Sequence, residues 1–204
     1  MNEGILNEYV FINNINNKKY KETNILVQEL LKYIYPWIKE DDIIIAYKYG
    51  KYAKTDIVLS VRNIKKGLSI KMGDKNSVHL EKIDKFCKYI YKHKFKKIDK
   101  LKRYLYSDDT NNNTGKKRYS ADDYKIKYPN DIEIINNELR KIKKILIKRF
   151  LVKVDINYKV GVDVFIYGTI DDFLWVTTNE VVNYLLEKEI KTSGINVGSL
   201  YIQN

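Results

Sequence analysis

Three residues of this chain have the types and the spacing to do chemistry together: Asp56, Lys71 and Glu81. Asp56 opens the apolar run Asp56-Ile57-Val58-Leu59-Ser60-Val61. Lys71 stands near the end of a second run, Leu68-Ser69-Ile70-Lys71-Met72, and Glu81 follows a helix-capping sequence at Asn76 and Ser77. Two carboxylates and an ammonium suit phosphodiester hydrolysis. Carboxylate oxygens are hard ligands for Mg²⁺, which keeps several of its waters. The metal polarises the phosphate and helps to generate hydroxide. A lysine orients or deprotonates the attacking water and offsets charge on phosphorus.

These residues need elements to bring them together. Val27, Leu30, Leu31, Ile34, Trp37 and Ile38 recur at helical spacing and predict an amphipathic helix over 24–39, kinked or ended by Pro36. Short apolar runs at 43–47, 56–61 and 68–72 predict strands, with Asn63 and Gly67 bracketing the connection between the last two. A hairpin there sets Asp56 and Lys71 at one end of a sheet, and period-2 alternation puts Ser69 and Lys71 on one face. A helix then has Leu80, Ile83, Phe86, Cys87, Ile90 and Tyr91 as its apolar positions and returns Glu81 towards the same place. Further helices are expected at 98–105, from 130 to about 150 and over 179–189, with strands at 162–167, 173–176 and 198–202. Residues 1–21 read as irregular, and 107–129 as a long polar loop. The order is that of a mixed α/β fold: a mixed central sheet flanked by helices.

Asp56, the strand hairpin and Ser69-Ile70-Lys71 resemble the PD-(D/E)XK nuclease superfamily, the restriction-endonuclease-like fold. The helix–strand–strand–strand–helix order over 24–94 resembles its common core. Two positions depart from the pattern: Thr55 stands in place of the proline and Ser69 in place of the second acid. The resemblance implies that Asp56 is the central metal ligand, that the Ile70 carbonyl is a second ligand, and that Lys71 faces the attacking water. It implies that the missing acid has migrated to Glu81 on the following helix, and it leaves Glu29 on the first helix as a further acid. One nuclease-like domain over 1–204 follows, its core at 24–94 and 162–176, with a basic loop and helices at 98–150 inserted. The cofactor implied is Mg²⁺, with Mn²⁺ as a substitute. The substrate implied is DNA, cut by a cytoplasmic homodimer of the type II restriction kind. If Glu81 does not reach the metal, the alternative is an inactive nucleic-acid-binding protein of the same fold. An RNA-directed nuclease is a third possibility.

Composition bears on the partner. Among 204 residues, 38 lysines and arginines face 26 acids, a net charge of +12, which favours a polyanion, with nucleic acid ahead of an anionic membrane surface. Isoleucine, asparagine and lysine are heavily used, so part of that charge can reflect coding bias. Lys75, Asn76 and Ser77 form a polar turn that either holds a phosphate at a helix N-terminus or only caps the helix. Lys116, Lys117 and Arg118 either reach a DNA backbone or form a solvated run. One cysteine, Cys87, excludes an internal disulfide and reads as core. His79 reads as half-buried and His93 as surface; Asp163 and the Asp171-Asp172 pair read as structural. No run is apolar for long enough to span a bilayer, and no basic leader opens the chain.

Overall fold

The computed structural model of the protein describes residues 3–50, 53–73, 81–106, 119–152, 159–189 and 194–202. In chain order it begins with helix α1 (Glu3–Ile15), a short strand β1 (Lys18–Lys19), a 3-10 turn (Tyr20–Glu22) and helix α2 (Ile25–Ile34). Strands β2 (Ile43–Lys48), β3 (Ile57–Val61) and β4 (Ile64–Lys71) follow, then helices α3 (Ile83–Lys92), α4 (Ile98–Tyr106), α5 (Ala121–Lys127), α6 (Asp131–Lys141) and α7 (Lys143–Leu151). Strands β5 (Val164–Thr169) and β6 (Asp172–Thr177), helix α8 (Thr178–Glu187) and the strand pair β7 (Asn196–Val197) and β8 (Leu200–Tyr201) complete it. The chain divides into two compact units, Met1–Val78 with Lys148–Val181 and His79–Ile147 with Val182–Asn204.

The first unit holds a six-stranded mixed sheet in the order β1-β2-β3-β4-β5-β6, antiparallel throughout except for the parallel pair β4 and β5. A parallel pair needs a crossover, so residues 72–163 intervene between these neighbours. Alternation along β3 and β4 turns Ile57, Leu59, Val61, Leu68 and Ile70 into a core with Phe11 and Ile15 of α1 and Val27, Leu30 and Leu31 of α2. Each such fully buried side chain contributes about 1.5–3 kcal/mol. Tyr35 is buried among them, and its hydroxyl lies 2.9 Å from the Leu59 carbonyl and 3.2 Å from that of Ile64. Burial pushes that phenol far above its ordinary pKa.

Several elements differ from the sequence expectation. Helix α2 stops at Ile34, before Pro36, because proline disfavours helix at the residue that precedes it. Its N-cap is Asn24, whose side chain accepts from Val27 N–H at 2.8 Å. The β3–β4 connection is only Arg62 and Asn63, with φ of 48° and 65°, so β4 starts at Ile64 rather than Leu68. Two successive left-handed residues form the tight turn whose twist matches a hairpin. The helix expected from 130 to 150 is two, α6 and α7, parted at Ile142. Helix α5 lies within the expected loop, started by Ser120, whose hydroxyl accepts from Asp123 N–H at 3.1 Å.

The second unit packs Phe86, Cys87 and Ile90 of α3, Leu101 and Leu105 of α4, and Ile135 and Leu139 of α6 inward. At its centre the buried Asp131 carboxylate accepts from Tyr124 Oη at 3.0 Å, pairs with Lys100 and lies 3.4 Å from Arg103. A buried carboxylate requires such partners. Burial pushes the Cys87 thiol up to about 11.

Candidate active site

The backbone fixes Asp56 before its side chain does anything. Its N–H donates to the Leu68 carbonyl at 2.8 Å, and its carbonyl accepts from Tyr49 N–H at 3.0 Å, so it is strung between β4 and the end of β2. Its Oδ2 then accepts from three donors: Ser69 Oγ at 3.0 Å, Ile70 N–H at 2.7 Å and Lys71 Nζ at 3.4 Å. Among the described residues no donor meets Oδ1. Lys71 Nζ also lies 3.2 Å from the Ile70 carbonyl. The sheet end therefore presents the Asp56 carboxylate and the Ile70 carbonyl to one cation, here an ammonium. These are the two oxygens the resemblance assigns to a metal, and hard oxygen donors of this kind suit Mg²⁺.

Ser69 stands where the resemblance expects a second acid. Its side chain is buried, and its hydroxyl donates to Asp56; a carboxylate in that place would repel Asp56 unless a cation lay between them. Thr55, in place of proline, donates its hydroxyl to the Val160 carbonyl at 3.1 Å, while Val160 N–H donates to Tyr49 Oη at 3.1 Å. The segment around residue 160 is thus tied down beside Asp56. Gly161 presses on Gly67 there, with no room for a Cβ on Gly67. Asp163 accepts from Gly67 N–H at 2.8 Å and lies 3.3 Å from Lys66 Nζ, a structural role in keeping with the sequence reading.

Two further charges in this unit were not legible in the sequence. Glu8 of α1 is buried and pairs with Lys48 at the end of β2. Burial pushes the Lys48 amine below its ordinary pKa; the Asp56 carboxylate opposes that shift and Lys71 reinforces it. The Glu8 carboxylate is the direct counter-charge. Lys48 links the two pairs electrostatically, so the first unit holds two acids and two amines around one end of its sheet.

Glu81 precedes α3 instead of lying within it, is half-buried, and belongs to the second unit, whereas Asp56, Ile70 and Lys71 belong to the first. Among the described residues no group of three or more acids, histidines or cysteines is gathered as a metal cage. Glu29 is exposed on α2. His93 ends α3 with its ring 4.6 Å from that of Tyr89. Lys75, Asn76, Ser77, His79, Lys116, Lys117 and Arg118 lie outside the described residues. No helix among the described residues is long and apolar enough to cross a membrane. No protein-family model matches the chain, and no curated protein matches it in sequence.

Proposed function

We propose that the protein is a metal-dependent nuclease of the PD-(D/E)XK kind that hydrolyses phosphodiester bonds of DNA with Mg²⁺, or Mn²⁺ in its place. The observation that carries this is the meeting of Asp56, the Ile70 carbonyl and Lys71 at one sheet end. A helix–strand–strand–strand–helix order and a fourth strand parallel to β4 support it. Asp56 Oδ1 and the Ile70 carbonyl would hold the ion. When bound, the ion supplies Lewis acidity and charge neutralisation at the phosphate. Ser69 and Ile70 N–H fix the Asp56 carboxylate by its other oxygen. Lys71, released from Asp56, orients the attacking water and offsets charge on phosphorus. The resemblance assigns the second carboxylate to Glu81, while Glu8 is a buried acid of the unit that carries Asp56.

The test is cleavage of supercoiled plasmid with Mg²⁺. Asp56→Asn and Lys71→Ala should each lower the rate at least ~100-fold. Wild-type rates in both variants would overturn the assignment. Comparison of Glu81→Gln with Glu8→Gln identifies the second acid by which loses activity. RNA substrates run in parallel fix the nucleic acid, and sedimentation across a concentration series tests the expected homodimer. A second reading, a non-catalytic nucleic-acid-binding protein, is favoured by Ser69 in the acid position. It predicts salt-sensitive binding with no cut that EDTA abolishes.

A further inference from the structure

The charge of the protein is divided unevenly between its two units. The first carries 17 lysines and arginines against 14 acids; the second carries 21 against 12. Most of the +12 thus belongs to the second unit and not to the one that carries Asp56 and Lys71. Within the second unit the excess is concentrated over residues 82–103, where ten bases face two acids, Asp84 and Asp99. Asp84 is already engaged by Lys102 of α4 at 2.6 Å.

Helix geometry gathers these bases. At 100° per residue, Lys85, Lys88 and Lys92 fall within about 60° of one another on α3, a stripe about 10 Å long. The opposite side of the helix carries Phe86, Cys87 and Ile90 into the core. The turn after α3, held by Lys94 at φ 68°, adds Lys94, Lys96 and Lys97. All six lysines are exposed, and among the described residues no carboxylate pairs with them. Beside the stripe Tyr91 stands 70% exposed, a ring free to lie against a sugar or base.

We infer that the α3 face and the α3–α4 turn, Lys85 to Lys97, form a docking surface for the phosphate backbone of a nucleic-acid duplex. The choice of a nucleic acid as the polyanion rests on the function proposed above; the surface rests on its own charge. Six uncompensated ammonium groups are point charges without a bidentate fork, so they hold backbone without reading bases. An anionic membrane is the weaker partner, because an interfacial helix needs an apolar face to insert and α3 has used its own in the core.

Binding of a fluorescent 20-base-pair duplex is measured in EDTA, where no cleavage occurs, between 50 and 200 mM salt. Six backbone contacts give a loss of affinity of ~10³-fold over that range, and removal of three lowers it to ~40-fold. K85A/K88A/K92A should show this flatter dependence and weaker binding, with an unchanged circular dichroism spectrum. K32A/K39A/K144A, equal in net charge, should keep the wild-type dependence. Equal behaviour of the two triple variants overturns the surface, as does binding to phosphatidylglycerol vesicles without binding to the duplex. Equal or tighter binding of an RNA duplex keeps the surface and names its source. A protein that binds in this way but never cuts plasmid keeps the surface and loses the nuclease assignment.

Discussion

Asp56 illustrates how much a single side chain depends on what holds it. Three donors on one oxygen orient the carboxylate, and among the described residues no donor meets its other oxygen. The Glu8–Lys48 pair shows the converse case, in which a buried charge is tolerable only with its counter-charge. Lys48→Met should lower stability by about 1–3 kcal/mol, because the Glu8 carboxylate stays buried and loses its partner. Adding Glu8→Gln should recover most of that loss, and urea unfolding of the double-mutant cycle measures it. Cys87 gives a pH prediction. Its thiol is raised from 9.0 to about 11 in the folded protein, so the unfolded chain releases that proton first as pH rises. Its contribution to stability should therefore be intact below pH 9 and decline between about 9 and 11. At pH 8 a thiol reagent should react with the native protein slowly and with the urea-unfolded chain at once. Fast labelling of the native state would contradict the burial of Cys87 at 3% exposure.

Elements succeed here where local chemistry and tertiary packing agree. Asn24 caps α2 and also donates its amide to the Ile170 carbonyl at 2.9 Å, joining the helix start to the β5–β6 turn. Gly67 lies hard against the backbone of Gly161. A Cβ on it would run into the Gly161 carbonyl and stand 2.9 Å from Thr55 Oγ1. Gly67→Ala should therefore cost about 1–3 kcal/mol by overpacking, read as a lower denaturation midpoint. It should also reduce cleavage, since β4 carries Ser69, Ile70 and Lys71. Helix α1 explains why Glu8 was not legible in the sequence. It buries Asn7, Glu8, Phe11 and Ile15 while Leu6 stands 54% and Tyr9 43% exposed, so its polarity is partly inverted and no clean amphipathic period marks it. Asn7 enters the interior because its amide donates to the Gly168 carbonyl at 2.8 Å, a partner 161 residues away.

At the scale of the whole molecule, most of the basic excess belongs to the second unit and the Asp56–Lys71 pair to the first. If the basic stripe on α3 holds the backbone and Asp56 with Lys71 does the chemistry, salt should act on the two differently. Raising salt from 50 to 200 mM should increase KM steeply and leave kcat nearly unchanged, since release of counterions belongs to binding. Steady-state cleavage at several salt concentrations checks this; a matching fall in kcat would place the salt-sensitive contacts at the reacting phosphate.

The sequence by itself determined the mixed α/β character, the strand hairpin and the meeting of Asp56 with Lys71. All of these follow from local periodicity and from a turn that pairs neighbouring strands. Tertiary structure alone decided that β4 lies parallel to β5 across 92 intervening residues, 72–163. It also decided that Glu8 and Lys48 share that end of the sheet, and that Glu81 falls in a different unit from Asp56. Such choices depend on which buried groups find partners far along the chain, and local spacing carries no trace of a partner that distant.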